Sequence, residues 1–286
     1  MKRFGAVARG SWNAKALDKP LLLPGFAAAW PSVGKRTDPR SWQNYSALKR
    51  RLQAVHGDDD AAIVVPVEFG GSYMDADMQQ QHVGFFSVLD VLEQERKQEA
   101  KAKKQQQQHM RWFLAQHEVR EVSPLLLDDV HVPHMLLMAA QGHTAGAGAG
   151  AGAAPSSTSA SLSIYRNNLW LGGHAGTCSP CHWDPFHNIL VQVYGQKRVV
   201  LFDPALAVNS PEALYAAEGA RQRNTSLVTD ICREDGGGGK EGFPLYAAAQ
   251  GVQVTLQPGD ALFIPHKWWH YCATEGASCS VNWWFL

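Results

Sequence analysis

The sequence holds no apolar run approaching the roughly 20 residues that a membrane-spanning helix needs, so no membrane span is expected. It also lacks net charge, with 26 Lys+Arg against 26 Asp+Glu and a pI of about 7.2. A general nucleic-acid binder carries a basic excess, so direct nucleic-acid binding is not expected either. Cysteine is scarce and odd in number, 5 in 286 residues, which does not suit a secreted disulfide framework. No secretory apolar segment follows the start, so the glycosylation patterns at Asn44-Tyr45-Ser46 and Asn224-Thr225-Ser226 read as chance matches. Lys2, Arg3, Arg9 and Lys15 precede the first acid, Asp18, in the manner of a transit peptide. Against that, Pro20–Phe26 already reads as folded structure. The expectation is a reducing intracellular setting, nuclear or cytoplasmic, with organellar targeting as the alternative. No repeat of solenoid period is present.

What is there is globular: 45% hydrophobic residues against 18% charged, in a chain long enough to bury a sizeable core. Three segments are too poor in apolar residues to belong to that core: Gln98–His109, Gln141–Ser163 and Arg233–Gly242. They read as surface insertions, which compact domains tolerate because loop-closure cost grows slowly with length. Helical spacing predicts helices over Ser46–Val55 (Leu48, Leu52, Val55) and Phe85–Glu95 (Phe85, Val88, Leu89, Leu92). Strands are predicted over Ile63–Val67, Leu162–Leu171, Ile189–Val193, Lys197–Phe202, Val252–Leu256, Ala261–Ile264 and Ser278–Phe285. Many short strands with little helix between them suggest an antiparallel sandwich or barrel.

Two neighbourhoods carry metal chemistry. In Cys181-His182-Trp183-Asp184-Pro185, His182 and Asp184 are two apart, which on a strand sends both to one face. Far downstream, Trp268-Trp269-His270 offers a second imidazole. Two His and one carboxylate form the facial triad of non-haem Fe(II) oxygenases, which leaves positions for co-substrate and O₂. His187 falls on the opposite strand face, and His266, directly after Pro265, is the rival of His270 as third ligand. Cys178-x-x-Cys181 has no second pair and no following helix, so it reads as structural rather than as a zinc or redox site.

At these residues the chain resembles the JmjC family of Fe(II)- and 2-oxoglutarate-dependent oxygenases. The likeness is greatest to the small arginyl-hydroxylase branch, whose members have also been described as histone lysine demethylases. It rests on Val65-Pro66-Val67-Glu68, Gly70, Tyr73-Met74-Asp75, Phe113–His117 and Gly176–Pro180 running into His182–Pro185. Gln192–Lys197, Pro258-Gly259-Asp260 and Phe263-Ile264-Pro265 complete it. The resemblance implies a mainly β double-stranded β-helix, a cupin-like jelly-roll barrel with flanking helices. It also implies one domain over 1–286: a support region at 1–140, the low-complexity insertion at 141–163 and the barrel core at 164–286. By position His182, Asp184 and His270 match the iron ligands. Lys197 matches the lysine that pairs with the distal carboxylate of 2-oxoglutarate, Asn188 and Ser179 match residues of that pocket, and Trp284 matches its aromatic wall. Glu68 and Trp170 match the residues that receive the substrate side chain. One departure concerns a tyrosine that helps hold the co-substrate: Met135 stands at its place, and Tyr165 is the candidate to substitute for it.

The reading that follows is a hydroxylase of a protein or peptide, using Fe(II), 2-oxoglutarate and O₂ and acting on an arginyl side chain. An N-methyl-lysine demethylase is the alternative enzyme, and a non-catalytic cupin-like binding module is the alternative from another class. Oligomeric state is not legible in the sequence.

Overall fold

The computed structural model describes residues 4–12, 17–35, 37–43, 45–70, 79–101, 111–133, 136, 163–216, 224–234, 236–237 and 242–286. Short strands β1 (Gly5–Ala6), β2 (Ala8–Arg9) and β3 (Leu21–Leu23) lead into helix α1 (Tyr45–His56). Next come β4 (Val64–Gly70), β5 (Gln79–Gly84), α2 (Phe85–Lys101), β6 (Arg111–Glu118) and the single turn α3 (Val119–Val122). The remaining strands are β7 (Ile164–Gly172), β8 (Ala175–His182), β9 (His187–Tyr194), β10 (Lys197–Phe202), β11 (Gly251–Leu256), β12 (Ala261–Ile264), β13 (Trp269–Glu275) and β14 (Ser278–Phe285).

These strands form a 5-stranded sheet, β1-β11-β10-β13-β8, and a 9-stranded sheet, β2-β3-β12-β9-β14-β7-β6-β4-β5. The two sheets are the walls of the cupin-like jelly roll. Between them lie apolar side chains from both, among them Leu190, Val199, Leu201, Leu262 and Ile264. The outer face of the larger sheet packs on α1 and α2 through Tyr45, Leu48, Leu52, Phe85, Leu89 and Leu92. The outer face of the smaller one is covered by Leu214, Val228, Ile231 and Tyr246, which pack on Cys181, Val200, Phe202 and Trp269. With both faces covered, β14 is buried at every position, although Ser278, Ser280, Asn282 and Trp284 share one of its faces. That face looks into the barrel, where Ser280 donates to Gln192 and Asn282 donates to Asn188.

The boundary between support region and barrel is blurred. Strands β1 to β6 all belong to the two sheets, β1 and β3 pairing directly with β11 and β12. The Lys/Gln tract begins inside α2, which runs to Lys101, and its remainder lies outside the described residues. So do most of the Ala/Gly insertion, Tyr73-Met74-Asp75 and Met135. The glycine run departs from expectation, because Gly236 is buried and its carbonyl accepts from the backbone N–H of both Thr229 and Asp230. One glycine is required by geometry. Gly195 turns β9 into β10 at φ 70°, and a Cβ there would sit 2.0 Å from the Ala277 carbonyl oxygen.

Candidate metal centre

His182 ends β8 and His270 lies on β13, paired directly with it in the antiparallel register. Their rings are 4.3 Å apart between centroids. Asp184 reaches them differently from the sequence expectation: β8 stops at His182, so the carboxylate stands beyond the strand rather than on its face. Main-chain bonds fix that short segment. Trp183 N–H donates to Asn224 O at 2.9 Å, Asn224 Nδ2 donates to Trp183 O, and Lys267 N–H donates to Asp184 O at 2.7 Å. Lys267 sits at φ 63°, a conformation costly for a residue with a Cβ, at the turn that delivers this contact.

The three side chains converge. His182 Nε2 is 3.9 Å from Asp184 Oδ1, and His270 Nε2 is 3.5 Å from Asp184 Oδ2. Among the described residues they are the one group of metal-ligating side chains whose ligand atoms all lie within 4.8 Å of one another. Each imidazole has its other nitrogen on a backbone carbonyl, His182 Nδ1 with Pro180 O at 2.7 Å and His270 Nδ1 with Trp268 O at 2.9 Å. Those bonds select the tautomer that leaves both Nε2 lone pairs facing inward, the usual support of a metal-ligating histidine. Burial, with help from the neighbouring His270, pushes the His182 pKa down to about 4, so its ring is neutral near pH 7. Burial pulls the same way on His270, but the Asp184 hydrogen bond and charge outweigh it and raise that pKa. Burial opposes ionisation of Asp184, yet the two imidazoles hold its carboxyl below its ordinary value. An ionised carboxylate and two inward nitrogens are a donor set that suits a divalent iron.

Behind the cluster is a narrow recess lined by Ser179, Asn188, Leu190, Lys197, Cys272 and Asn282, among others. Lys197 is 5% exposed, has no ion-pair partner among the described residues, and lies 5.7 Å from the centre of the Trp170 ring. Burial lowers its pKa, an effect that nearby Cys272 and Cys279 oppose. In front of the cluster opens a larger cleft of about 480 Å³. Its walls include Glu68, Gln80, Phe113, Gln116, Trp170, Asn224, Thr225 and Trp284. Burial alone raises the Glu68 carboxyl to about 7.

Several placements correct the sequence reading. Trp284, expected in the co-substrate pocket, lines the outer cleft instead. Trp170 lines both spaces, and its indole N–H donates to Asn282 at 2.8 Å. Tyr165 lines neither; it is exposed and stacks on Phe186 at 4.3 Å, which stacks on Trp284 in turn. His187 packs against Phe263 and Phe285, and its Nδ1 accepts from the His266 backbone N–H, so neither His187 nor His266 joins the cluster. Sequence reading missed Asn282, Cys272, Gln80 and Asn224. Only Asn282 carried a signal, as a polar residue on the inward side of the last strand.

Fold and site together define a cupin with a His-Asp-His cluster at its mouth. The cupin-like domain model matches residues 13–286. Jumonji C domain-containing protein 5 of Drosophila melanogaster is 33% identical over 267 residues, covering 93% of this chain and 54% of that protein. Lysine-specific demethylase 8 of Xenopus tropicalis is 30% identical, covering 93% of this chain and 48% of that protein. Lysine-specific demethylase JMJ30 of Arabidopsis thaliana is 29% identical, with 93% and 49% covered. The chain thus spans about half the length of these relatives. It belongs to the cupin-like domain family, among its JmjC members.

Proposed function

We propose that this chain is an Fe(II)- and 2-oxoglutarate-dependent protein hydroxylase acting on an arginyl side chain. One observation carries the reading: a buried lysine without a carboxylate partner among the described residues stands behind the His-Asp-His cluster, and a carboxylate stands in the cleft before it. An uncompensated buried cation is costly, and a dianionic co-substrate would relieve that cost. His182, Asp184 and His270 would hold the metal, with Lys197, Ser179, Asn188 and Asn282 around the co-substrate. Free space in the recess is about 30 Å³, room for little more than water, so its lining would have to adjust to admit a diacid. Iron(II) with 2-oxoglutarate supplies the oxidation of a C–H bond by O₂, the co-substrate leaving as succinate and CO₂. The chain aims the target side chain and keeps water out.

In the cleft, an ionised Glu68 can take a guanidinium in a two-point fork, and the Trp170 indole can stack on its plane. Binding a cation there favours the ionised form and draws the Glu68 pKa down from about 7. N-methyl-lysine demethylation is the second reading. It is supported by the names of the demethylase relatives and by Phe113, Trp170 and Trp284, which together offer ring faces to a methylated ammonium. A silent binding module would not need a buried lysine beside the His-Asp-His cluster. Mass spectrometry of a peptide panel incubated with Fe(II), ascorbate and 2-oxoglutarate separates all three. Gain of one oxygen on arginine is expected, loss of methyl groups from lysine supports the second reading, and no consumption of 2-oxoglutarate supports the module.

A further inference from the structure

Away from the metal centre, the outer face of the smaller sheet carries a cluster of two thiols, a guanidinium and a phenol. Arg198 of β10, Ala273 of β13 and Cys178 of β8 lie in one cross-strand row. Ala273 is small, which leaves the space above it to the long side chains around it. Arg198 reaches over the Tyr271 ring, 5.8 Å from its centroid, and its Nη1 donates to Cys232 Sγ at 2.7 Å. Its Nε faces Glu275 at 3.5 Å. The Tyr271 hydroxyl is hydrogen-bonded with Cys178 and lies within electrostatic range of Cys232. Both thiols are reduced and only partly buried, whereas Cys181 and Cys279 are fully buried. Cys232 is held at the start of a turn, its N–H donating to Asp230 Oδ1 at 2.9 Å.

Reactive cysteines sit in electropositive, partly exposed surroundings, and redox-sensing ones stand next to a second thiol that resolves the first product. From this arrangement we infer that Cys232 is a peroxide-reactive thiol and that Cys178 is its resolving partner. The deprotonated Cys232 sulfur attacks one peroxide oxygen, an S–O bond forms, the O–O bond breaks, and the departing hydroxide takes a proton to become water. Arg198 supplies positive charge where negative charge is redistributed. The Cys178 sulfur then attacks the Cys232 sulfenic acid, forming the S–S bond and releasing a second water. Two thiols are oxidised by two electrons and one hydrogen peroxide is reduced to two waters.

The bond would tie β8 to the segment that runs beside it along the outer cleft. Cys178 lines that cleft on the strand that ends at His182. Cys232 belongs to the segment whose start, Asn224 and Thr225, also lines that cleft and bridges to His182. Oxidation therefore ties the substrate side of the centre without touching a metal ligand.

The test is brief exposure of the whole chain to stoichiometric hydrogen peroxide, then alkylation and non-reducing peptide mapping. A Cys178–Cys232 linked peptide is expected, absent from Cys178→Ser and from Cys232→Ser. In Cys178→Ser, a dimedone adduct should mark Cys232 ahead of the other thiols. Arg198→Gln should slow the reaction by about tenfold, the scale of one lost charge contact. Should that variant fail to fold, its circular dichroism shows it, and the Cys178→Ser adduct remains decisive. Oxidation spread evenly over the thiols, led by Cys272, or stopping at a Cys232 sulfenic acid while Cys178 is present would overturn the pair.

Discussion

The space behind the His-Asp-His cluster and the space before it are built by different means. Behind it, Lys197, Asn188, Cys272 and Asn282 lie on β10, β9, β13 and β14, each paired on both sides. Their orientation is fixed by register, and side-chain bonds between Asn282, Asn188 and Trp170 lock it further. Before it, Gln80 stands on β5, the edge strand of the larger sheet, and Glu68 on its neighbour β4. Asn224 and Thr225 come from a loop that adds a single bridge to β8. The recess behind the cluster is thus seated mainly on doubly paired strands, whereas the cleft before it also draws on an edge strand and a loop. Substitutions behind the cluster should abolish function, and those before it should modulate it.

The largest effect is expected for Asp184→Ala. It removes the anionic donor while the main-chain bond from Lys267 remains, so 2-oxoglutarate turnover should vanish and circular dichroism should stay unchanged. His266→Ala should retain activity; if it and not His270→Ala were inactive, the third ligand would be wrongly assigned. Next comes Lys197→Ala. Deleting one partner of a buried charge pair costs roughly 3–5 kcal/mol, or about two to three and a half decades of affinity. The 2-oxoglutarate concentration for half-maximal turnover should rise accordingly, and near-normal values would take Lys197 out of the site.

On the recognition side, Glu68 gives a pH effect of definite sign. Its folded pKa is raised to about 7, so the native state holds a proton that the unfolded state gives up above about 4.5. Stability should therefore fall as pH rises between those values, and Glu68→Gln should flatten that slope. Affinity for an arginyl peptide runs the other way, rising by up to about tenfold per unit as pH approaches 7 from below and levelling above it. A pH-independent peptide affinity in the wild-type chain would remove Glu68 from recognition. The smallest effect is expected for Tyr165→Ala, which truncates an exposed ring outside both spaces and should leave co-substrate affinity within about twofold, or roughly 0.4 kcal/mol.

The same contrast explains what was legible in the sequence. Strands such as β9 and β10 announce themselves because both of their faces are mostly buried and largely apolar. Edge strand β5, Gln-Gln-Gln-His-Val-Gly, has mostly exposed side chains and no apolar alternation to find. Strand β13 was not foreseen at all, since Trp269–Glu275 shows no clean apolar alternation and its pairing with β10 and β8 is long-range. The metal cluster was legible through residue type, His-x-Asp with a distant His, although strand alternation is not what carries Asp184 there. A turn tied down by Asn224 and Lys267 positions it, and long-range main-chain bonds leave no local pattern. Trp284 was misplaced for a related reason. Periodicity gives the face of a strand but not the depth along it, and Trp284, paired with Asn188 near the end of β14, sits at the mouth.

The seat of the chemistry is tested most directly by anaerobic titration of 2-oxoglutarate into the Fe(II)-loaded chain, followed by visible charge-transfer absorption. The wild-type chain should develop a saturable band, Asp184→Ala none, and Lys197→Ala the same band only at concentrations about two to three and a half decades higher. A wild-type chain that binds iron but gives no band at any concentration, or an Asp184→Ala variant that gives the full band, would contradict the account.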